Sequence, residues 1–209
     1  MSDELVFYTH PQSRGRVVRW MLEEVGQPYR TEVLDYDTTM KAPAYLAVNP
    51  MGKVPALKHG GTVVTECAAI CAYLADAFPE AGLAPSPGDP MRGPYYRWLF
   101  FAAGPIEAAC SNKAMGFVVP PERERMMGYG NYSRVMDALE RAVSAGDYIV
   151  GDRFSAADVY VGSQIGFGMM FGMIEKRRAF ERYWSRLSAR PAAKRAAEID
   201  EKLAAQQQH

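Results

Sequence analysis

Cysteine is scarce in this chain: three residues among 209, an odd number without the paired spacing of a disulfide framework or a zinc site. Net charge is absent as well. The 24 lysines and arginines balance the 24 aspartates and glutamates, so no global field points to nucleic acid or membrane. No apolar run reaches the length of about 18 residues that spans a bilayer. The opening residues MSDELVFYTH lack the basic and long apolar regions of a secretory leader, which makes the cytoplasm the expected compartment. A gap at one point matters most. The loop after the first apolar run, Thr9-His10-Pro11-Gln12-Ser13-Arg14-Gly15, holds no cysteine, which counts against a Cys-x-x-Cys disulfide oxidoreductase. Neither a metal-ligand cluster nor a phosphate-binding glycine loop occurs, and no internal repeat is visible.

What is present is a chain with room for one large or two modest cores, 48% hydrophobic and 23% charged. Residues 4–8 read as a strand. Val17, Val18, Met21, Leu22 and Val25 recur on one face of a helix over 16–25, which Gly26-Gln27-Pro28 closes. A second strand over 29–34 completes a βαβ unit with a right-handed crossover.

Residues 49–74, NPMGKVPALKHGGTVVTECAAICAYL, organise the first part of the chain. Asn49–Lys53 reads as a loop, and a short apolar run headed by Pro55 reads as a strand, because strands admit proline at their first residue. Gly60-Gly61 marks a hairpin turn and Thr62-Val63-Val64 its second arm. Thr65 then caps a helix with Glu66 in its first turn. A residue before proline is held extended, so the Val54 N–H and C=O form an outward pair that an extended peptide could join as a strand. The helix starting near Glu66-Cys67 adds a dipole end that favours a carboxylate. A plain hairpin with a trans proline fits the same residues.

The run Asn49-Pro50-Met51-Gly52-Lys53-Val54-Pro55-Ala56-Leu57 followed by Thr65-Glu66-Cys67-Ala68-Ala69-Ile70 resembles the glutathione-binding half of the glutathione S-transferases. The resemblance implies a thioredoxin-like α/β N-terminal domain, a cis Val54–Pro55 bond, and pairing of the Val54 backbone with the cysteinyl part of glutathione. It assigns Lys53, Val54, Pro55, Glu66 and Cys67 to glutathione binding. In that family a Glu/Gln-Ser pair holds the γ-glutamyl carboxylate. Cys67 departs from it, and a thiol is the weaker hydrogen-bond partner. The segment FYTHPQSRGRVVRWMLEE, residues 7–24, is similar to serine-type and bacterial members, in which a loop serine or cysteine contacts the glutathione sulfur. Ser13 matches that position, and Tyr8 is the rival because other classes use an N-terminal tyrosine. Thr9 and His10 are weaker matches. From the residues alone, capping the helix is the more frequent job of a serine at this position.

Beyond residue 80 the composition shifts. Pro85, Pro87, Gly88 and Pro90 mark a linker over 81–90, and residues 91–209 read as an all-helical domain. Helices are expected over 95–110, 122–144 and 159–174, with a last one over 180–203 broken near Arg190-Pro191. Ser155-x-x-Asp158 has capping-box spacing. With Gly151 and Phe154 it resembles the capping signature of the transferase helical domain. Met115 and Phe117 are candidates for an apolar electrophile pocket. The resemblance implies a glutathione transferase without metal, using glutathione as co-substrate against a small hydrophobic electrophile or a peroxide in detoxification, and assembling as a homodimer. Two alternatives stand beside it: a binding or scaffold protein on the same fold, and thiol exchange through Cys67.

Overall fold

The computed structural model describes residues 4–207. The chain divides into two compact units, one formed by residues up to Gly82 and from Ala189 onward, the other by Leu83–Ser188.

In the first unit β1 (Leu5–Thr9) leads into α1 (Gly15–Val25), and β2 (Tyr29–Val33) returns parallel to β1. A short turn of helix, α2 (Pro43–Leu46), precedes the hairpin of β3 (Ala56–His59) and β4 (Thr62–Thr65), which is followed by α3 (Cys67–Ala77). The sheet order is β2-β1-β3-β4, with β3 antiparallel to both neighbours. This is the thioredoxin-like arrangement read from the sequence. Helix α1 forms where it was expected because Val17, Val18, Met21, Leu22 and Val25 all bury, and Gly26 at φ 75° ends it. Its first residue can only be glycine. A Cβ at Gly15 would lie 1.9 Å from Thr9 Oγ1, so the helix starts directly on the end of β1.

The final helix, α9 (Pro191–Gln206), belongs with this first unit and not with the helical part to which its sequence position assigned it. Buried Arg19 of α1 draws it there. The Arg19 guanidinium meets Asp200 Oδ1 at 3.1 Å, donates to Thr31 Oγ1 at 2.7 Å and lies over the Phe7 and Tyr29 rings. Burial pushes the Asp200 carboxyl above its ordinary value even with Arg19 beside it. Arg190 forks onto Glu24 at 2.7 and 2.8 Å, and Arg195 reaches Glu23 at 3.1 Å.

The second unit is helical: α4 (Arg92–Phe101), α5 (Glu107–Ala114), α6 (Tyr132–Ser144), α7 (Ala156–Met170) and α8 (Arg178–Ser188). The single helix expected over 95–110 is two, joined by a π-turn at Ala102–Ile106 that takes in Pro105. Proline has no N–H to donate to the i−4 carbonyl, and a wider turn absorbs that loss. The helix expected over 122–144 is shorter. Pro121–Met126 is a 3₁₀ turn, and α6 starts only after Asn131, whose side chain accepts from the Arg134 N–H at 2.9 Å. The capping box is formed as read. Asp158 Oδ2 accepts from the Ser155 N–H and hydroxyl at 2.9 and 3.1 Å, while Oδ1 accepts from the Ile149 N–H and the Tyr183 hydroxyl at 2.8 and 2.7 Å. Glycines in α7 admit close neighbours, as expected: a Cβ at Gly166 would come within 2.6 Å of the Trp184 ring. No helix among the described residues is long and apolar enough to cross a membrane.

Candidate functional site

Strand register brings three separate stretches to one end of the sheet. Tyr8 pairs with Ala56, and Ala56 pairs with Thr65. The loop after β1, the residues before β3 and the start of α3 therefore leave the sheet side by side. This is the crevice beyond strand ends where open α/β sheets collect ligands.

The segment before β3 is held from within. Lys41 Nζ donates to the Gly52 carbonyl at 2.6 Å, and the Lys53 carbonyl accepts from the Tyr45 hydroxyl at 2.6 Å and Asn49 Nδ2 at 2.8 Å. Burial pushes the Tyr45 phenol up to about 12, so it stays a donor. The next residue is treated differently. The Val54–Pro55 bond is cis, β3 begins only at Ala56, and neither the N–H nor the C=O of Val54 has a partner among the described residues. Unpaired backbone groups next to a strand start are what an extended peptide needs in order to add to the sheet. Val54 and Tyr8 both pack against Met40, Tyr45 and Ala56. Lys53 is exposed, and its ammonium also has no partner among the described residues.

Thr65, expected as the cap of α3, is held in the ladder opposite Ala56, so the cap falls on Glu66 instead. Glu66 carries φ 67° and ψ 124°, a conformation that non-glycine residues rarely adopt, and its side chain is exposed without a partner among the described residues. Cys67, the first residue of α3, is buried, and its thiol donates to the Arg14 carbonyl at 3.7 Å, which ties the helix start to the loop before α1.

In that loop Ser13 is half-buried. Its hydroxyl donates to the His10 carbonyl at 2.6 Å and accepts from the Gly15 N–H at 2.9 Å, the geometry of a turn that opens a helix. His10 is buried, and its Nδ1 accepts from the Gln12 N–H at 3.1 Å, which leaves the ring proton on Nε2. Burial holds the imidazole below its ordinary pKa, against the pull of Asp35. Tyr8 packs on Tyr45 with ring centroids 5.5 Å apart.

One residue at this end escaped the sequence reading. Tyr36 follows β2; its ring lies 4.5 Å from His10 and its hydroxyl donates to the Gln12 carbonyl at 3.1 Å. The signal was in the topology: β2 runs parallel to β1 and the Leu34 N–H bonds the Thr9 carbonyl at 2.9 Å, so the turn after β2 must emerge beside the loop after β1. Met115 and Phe117 lie in the other unit, at the end of α5 and just beyond, and are 75% and 50% exposed.

Comparisons with known proteins bear on the family and the fold. The N-terminal domain of glutathione S-transferases matches residues 13–77, and their C-terminal domain matches residues 106–191. A glutathione transferase from Methylococcus capsulatus str. Bath is 31% identical, with a TM-score of 0.76 over 94% of this chain and 98% of its own. A glutathione transferase homologue from Sulfitobacter, solved with bound glutathione, is 25% identical, with a TM-score of 0.76 over 97% and 100%. The probable glutathione S-transferase GSTF2 of Oryza sativa subsp. japonica is 28% identical over 86% of this chain and 88% of its own. With both domains matched in order and the whole fold shared, the chain belongs to the glutathione S-transferase family.

Proposed function

We propose that this protein is a glutathione transferase that binds glutathione across the end of the sheet and holds its sulfur as thiolate for attack on an electrophile. The observation that carries the reading is the unpaired backbone of Val54. Its N–H and C=O suit the cysteinyl unit of glutathione as an added strand. The γ-glutamyl end carries an ammonium for the Glu66 carboxylate and a carboxylate for the dipole end of α3. Lys53 suits the carboxylate at the other end. Pro55 is buried and fixes the chain between Val54 and β3. Bound this way, the sulfur is directed toward the loop of Tyr8 and Ser13.

Catalysis here is thiolate stabilisation. A donor aimed at the sulfur favours the charged form, so the bound thiol titrates below the value of about 8.5 for an ordinary thiol. Attack then forms the carbon–sulfur bond as the electrophile's leaving group departs, the thiol proton having gone to solvent. Met115 and Phe117, exposed and apolar, are proposed to contact a hydrophobic electrophile. A peroxide co-substrate, a role in detoxification, a cytoplasmic location and homodimeric assembly belong to the same reading. Thiol exchange through Cys67 ranks below it, because that sulfur is buried and engaged with Arg14.

One observation favours a second reading, a binding protein without chemistry: the Ser13 hydrogen points to the His10 carbonyl. Titration of bound glutathione decides, following thiolate absorbance against pH with affinity measured by calorimetry. In the transferase reading the wild-type thiol pKa is depressed. Ser13→Ala then raises it by about one to two units with little change in affinity, as expected for a hydrogen bond to a charged group. Tyr8→Phe changes little. A large rise in Tyr8→Phe with none in Ser13→Ala makes Ser13 only a member of the turn that opens α1. Glutathione bound with its thiol pKa undisturbed selects the binding protein, and no glutathione binding overturns both readings.

A further inference from the structure

Ser13 has one hydroxyl hydrogen, and the structure spends it on the turn. For that hydrogen to reach a sulfur, the hydroxyl must leave the His10 carbonyl while its oxygen stays anchored. One lone pair is already held by the Gly15 N–H at 2.9 Å. The second needs a donor, and Tyr36 is in position to supply it. Tyr36 projects from the turn after β2, its ring 4.5 Å from His10 and its hydroxyl 3.1 Å from the carbonyl of Gln12, the residue before Ser13. The residue is 45% exposed, which leaves its hydroxyl free to reorient. The turn itself is fixed: the Asp35 N–H bonds Thr39 Oγ1 at 2.8 Å, and the Met40 N–H bonds the Asp35 carbonyl at 3.0 Å.

We propose that Tyr36 is a positioning residue for Ser13: its hydroxyl swings from the Gln12 carbonyl to donate into Ser13 Oγ, so that the serine directs its own hydrogen at the glutathione sulfur. The proposal rests on the transferase reading above and adds to it a second hydroxyl, outside the motifs of the β1–α1 loop and the Val54 segment. With Gly15 and Tyr36 both donating to it, the serine oxygen is saturated as an acceptor and its O–H is polarised, which strengthens the bond it gives. Gln12 is exposed, so water replaces Tyr36 at its carbonyl at little cost. No proton changes owner in this rearrangement, since the thiol proton leaves to solvent and both hydroxyls keep theirs.

The charged and titratable groups nearby are His10 under the Tyr36 ring, Arg14, whose charge acts on Tyr36, and Asp35, whose charge acts on His10. Tyr36→Phe leaves all three in place and keeps the ring against His10, so a change in pH profile reports the hydroxyl alone. The experiment measures the bound-thiol titration, the kcat and the glutathione KM for wild type, Tyr36→Phe, Ser13→Ala and the double variant, with thermal unfolding to show that each is folded. Tyr36→Phe is expected to raise the bound-thiol pKa by part of the Ser13→Ala shift. It should lower kcat at neutral pH by about three- to tenfold and move the glutathione KM by less than about twofold. In the Ser13→Ala background the same change should have no further effect, because the group it positions is gone. A wild-type pH profile in Tyr36→Phe overturns the assignment, and so does an undiminished effect in the Ser13→Ala background. A wild-type enzyme that binds glutathione with its thiol pKa undisturbed overturns the transferase reading itself, a result recognisable before any Tyr36 variant is made.

Discussion

Glu66, the residue proposed to meet the γ-glutamyl end, is held against its own conformational preference. Its φ of 67° with ψ of 124° is a region in which residues with a Cβ cost of order 1–3 kcal/mol. The strain follows from two neighbours: Thr65 is fixed in the ladder opposite Ala56, and Cys67 is drawn into the first turn of α3 and onto the Arg14 carbonyl. The chain must turn within one residue, and that residue carries the carboxylate assigned to the γ-glutamyl end. Glu66→Gly should therefore separate folding from binding. Relief of the strain, less about 0.5–1 kcal/mol for the greater freedom of glycine when unfolded, leaves the variant at least as stable as wild type. Its glutathione affinity should fall nonetheless. Thermal unfolding and calorimetric titration check the two halves, and a lowered Tm would show that the Glu66 side chain supports the fold instead. At this scale the sequence was informative wherever a residue's role is local. Val54-Pro55 and Glu66-Cys67 were readable as a run of neighbours. Tyr36 was not, because its place depends on the parallel register of β1 and β2, which no window of sequence contains. The turn made by Ser13 was equally hidden, since its partner is the carbonyl of His10 and any side chain could precede it.

At the scale of elements, periodicity located helices well and proline revised them. Helix α1 began and ended within a residue of expectation because a buried apolar face and a following glycine both mark it. Pro105 and Pro121 moved the boundaries of α5 and α6 away from the apolar pattern, since a missing N–H changes the local turn whatever the side-chain spacing is. The start of α7 is the clearest case of a local signal with a wider role. Asp158 closes the capping box, but its other carboxylate oxygen accepts from the Ile149 N–H and the Tyr183 hydroxyl of α8. Four donors favour its charge, and burial pushes the carboxyl up against them. Asp158→Ala removes a cap worth about 0.5–2 kcal/mol. It also leaves two buried donors unmet at about 1–3 kcal/mol each. A loss of about 3 kcal/mol or more is expected in denaturant unfolding of the variant. A loss under about 1 kcal/mol would mean that the Ile149 and Tyr183 donors find other acceptors.

For the whole molecule, the order of the chain and the order of its cores differ. The sequence reading ended the glutathione-binding part at residue 80 because prolines and glycines follow, and it had no means of seeing that residues from Ala189 on return to that same unit. The return depends on Arg19, which sits among apolar neighbours on the buried face of α1 and is 1% exposed. A lone arginine on an apolar face gives no hint of a partner 181 residues away, yet buried in this way it requires one. Asp200 supplies it, with Thr31 and the rings of Phe7 and Tyr29 around the guanidinium. Such a pair holds α9 in place strongly without making a large net contribution to stability, because each ion gives up its hydration. The two cases separate by mutation. Asp200→Leu leaves the Arg19 charge buried and unpaired, and Arg19→Met leaves buried Asp200 with only Arg16, 3.9 Å from its other oxygen. Each should cost about 3–5 kcal/mol in chemical unfolding and weaken glutathione binding, because α1 carries the Ser13 turn at its start. Arg19→Met combined with Asp200→Leu replaces the pair by apolar side chains of similar size and should recover wild-type stability or exceed it. If the double variant is instead as unstable as the sum of the single ones, the guanidinium contributes through Thr31 and the aromatic rings more than through Asp200, and the ion pairs left to hold α9 are those of Arg190, Arg195 and Arg16 with Glu201.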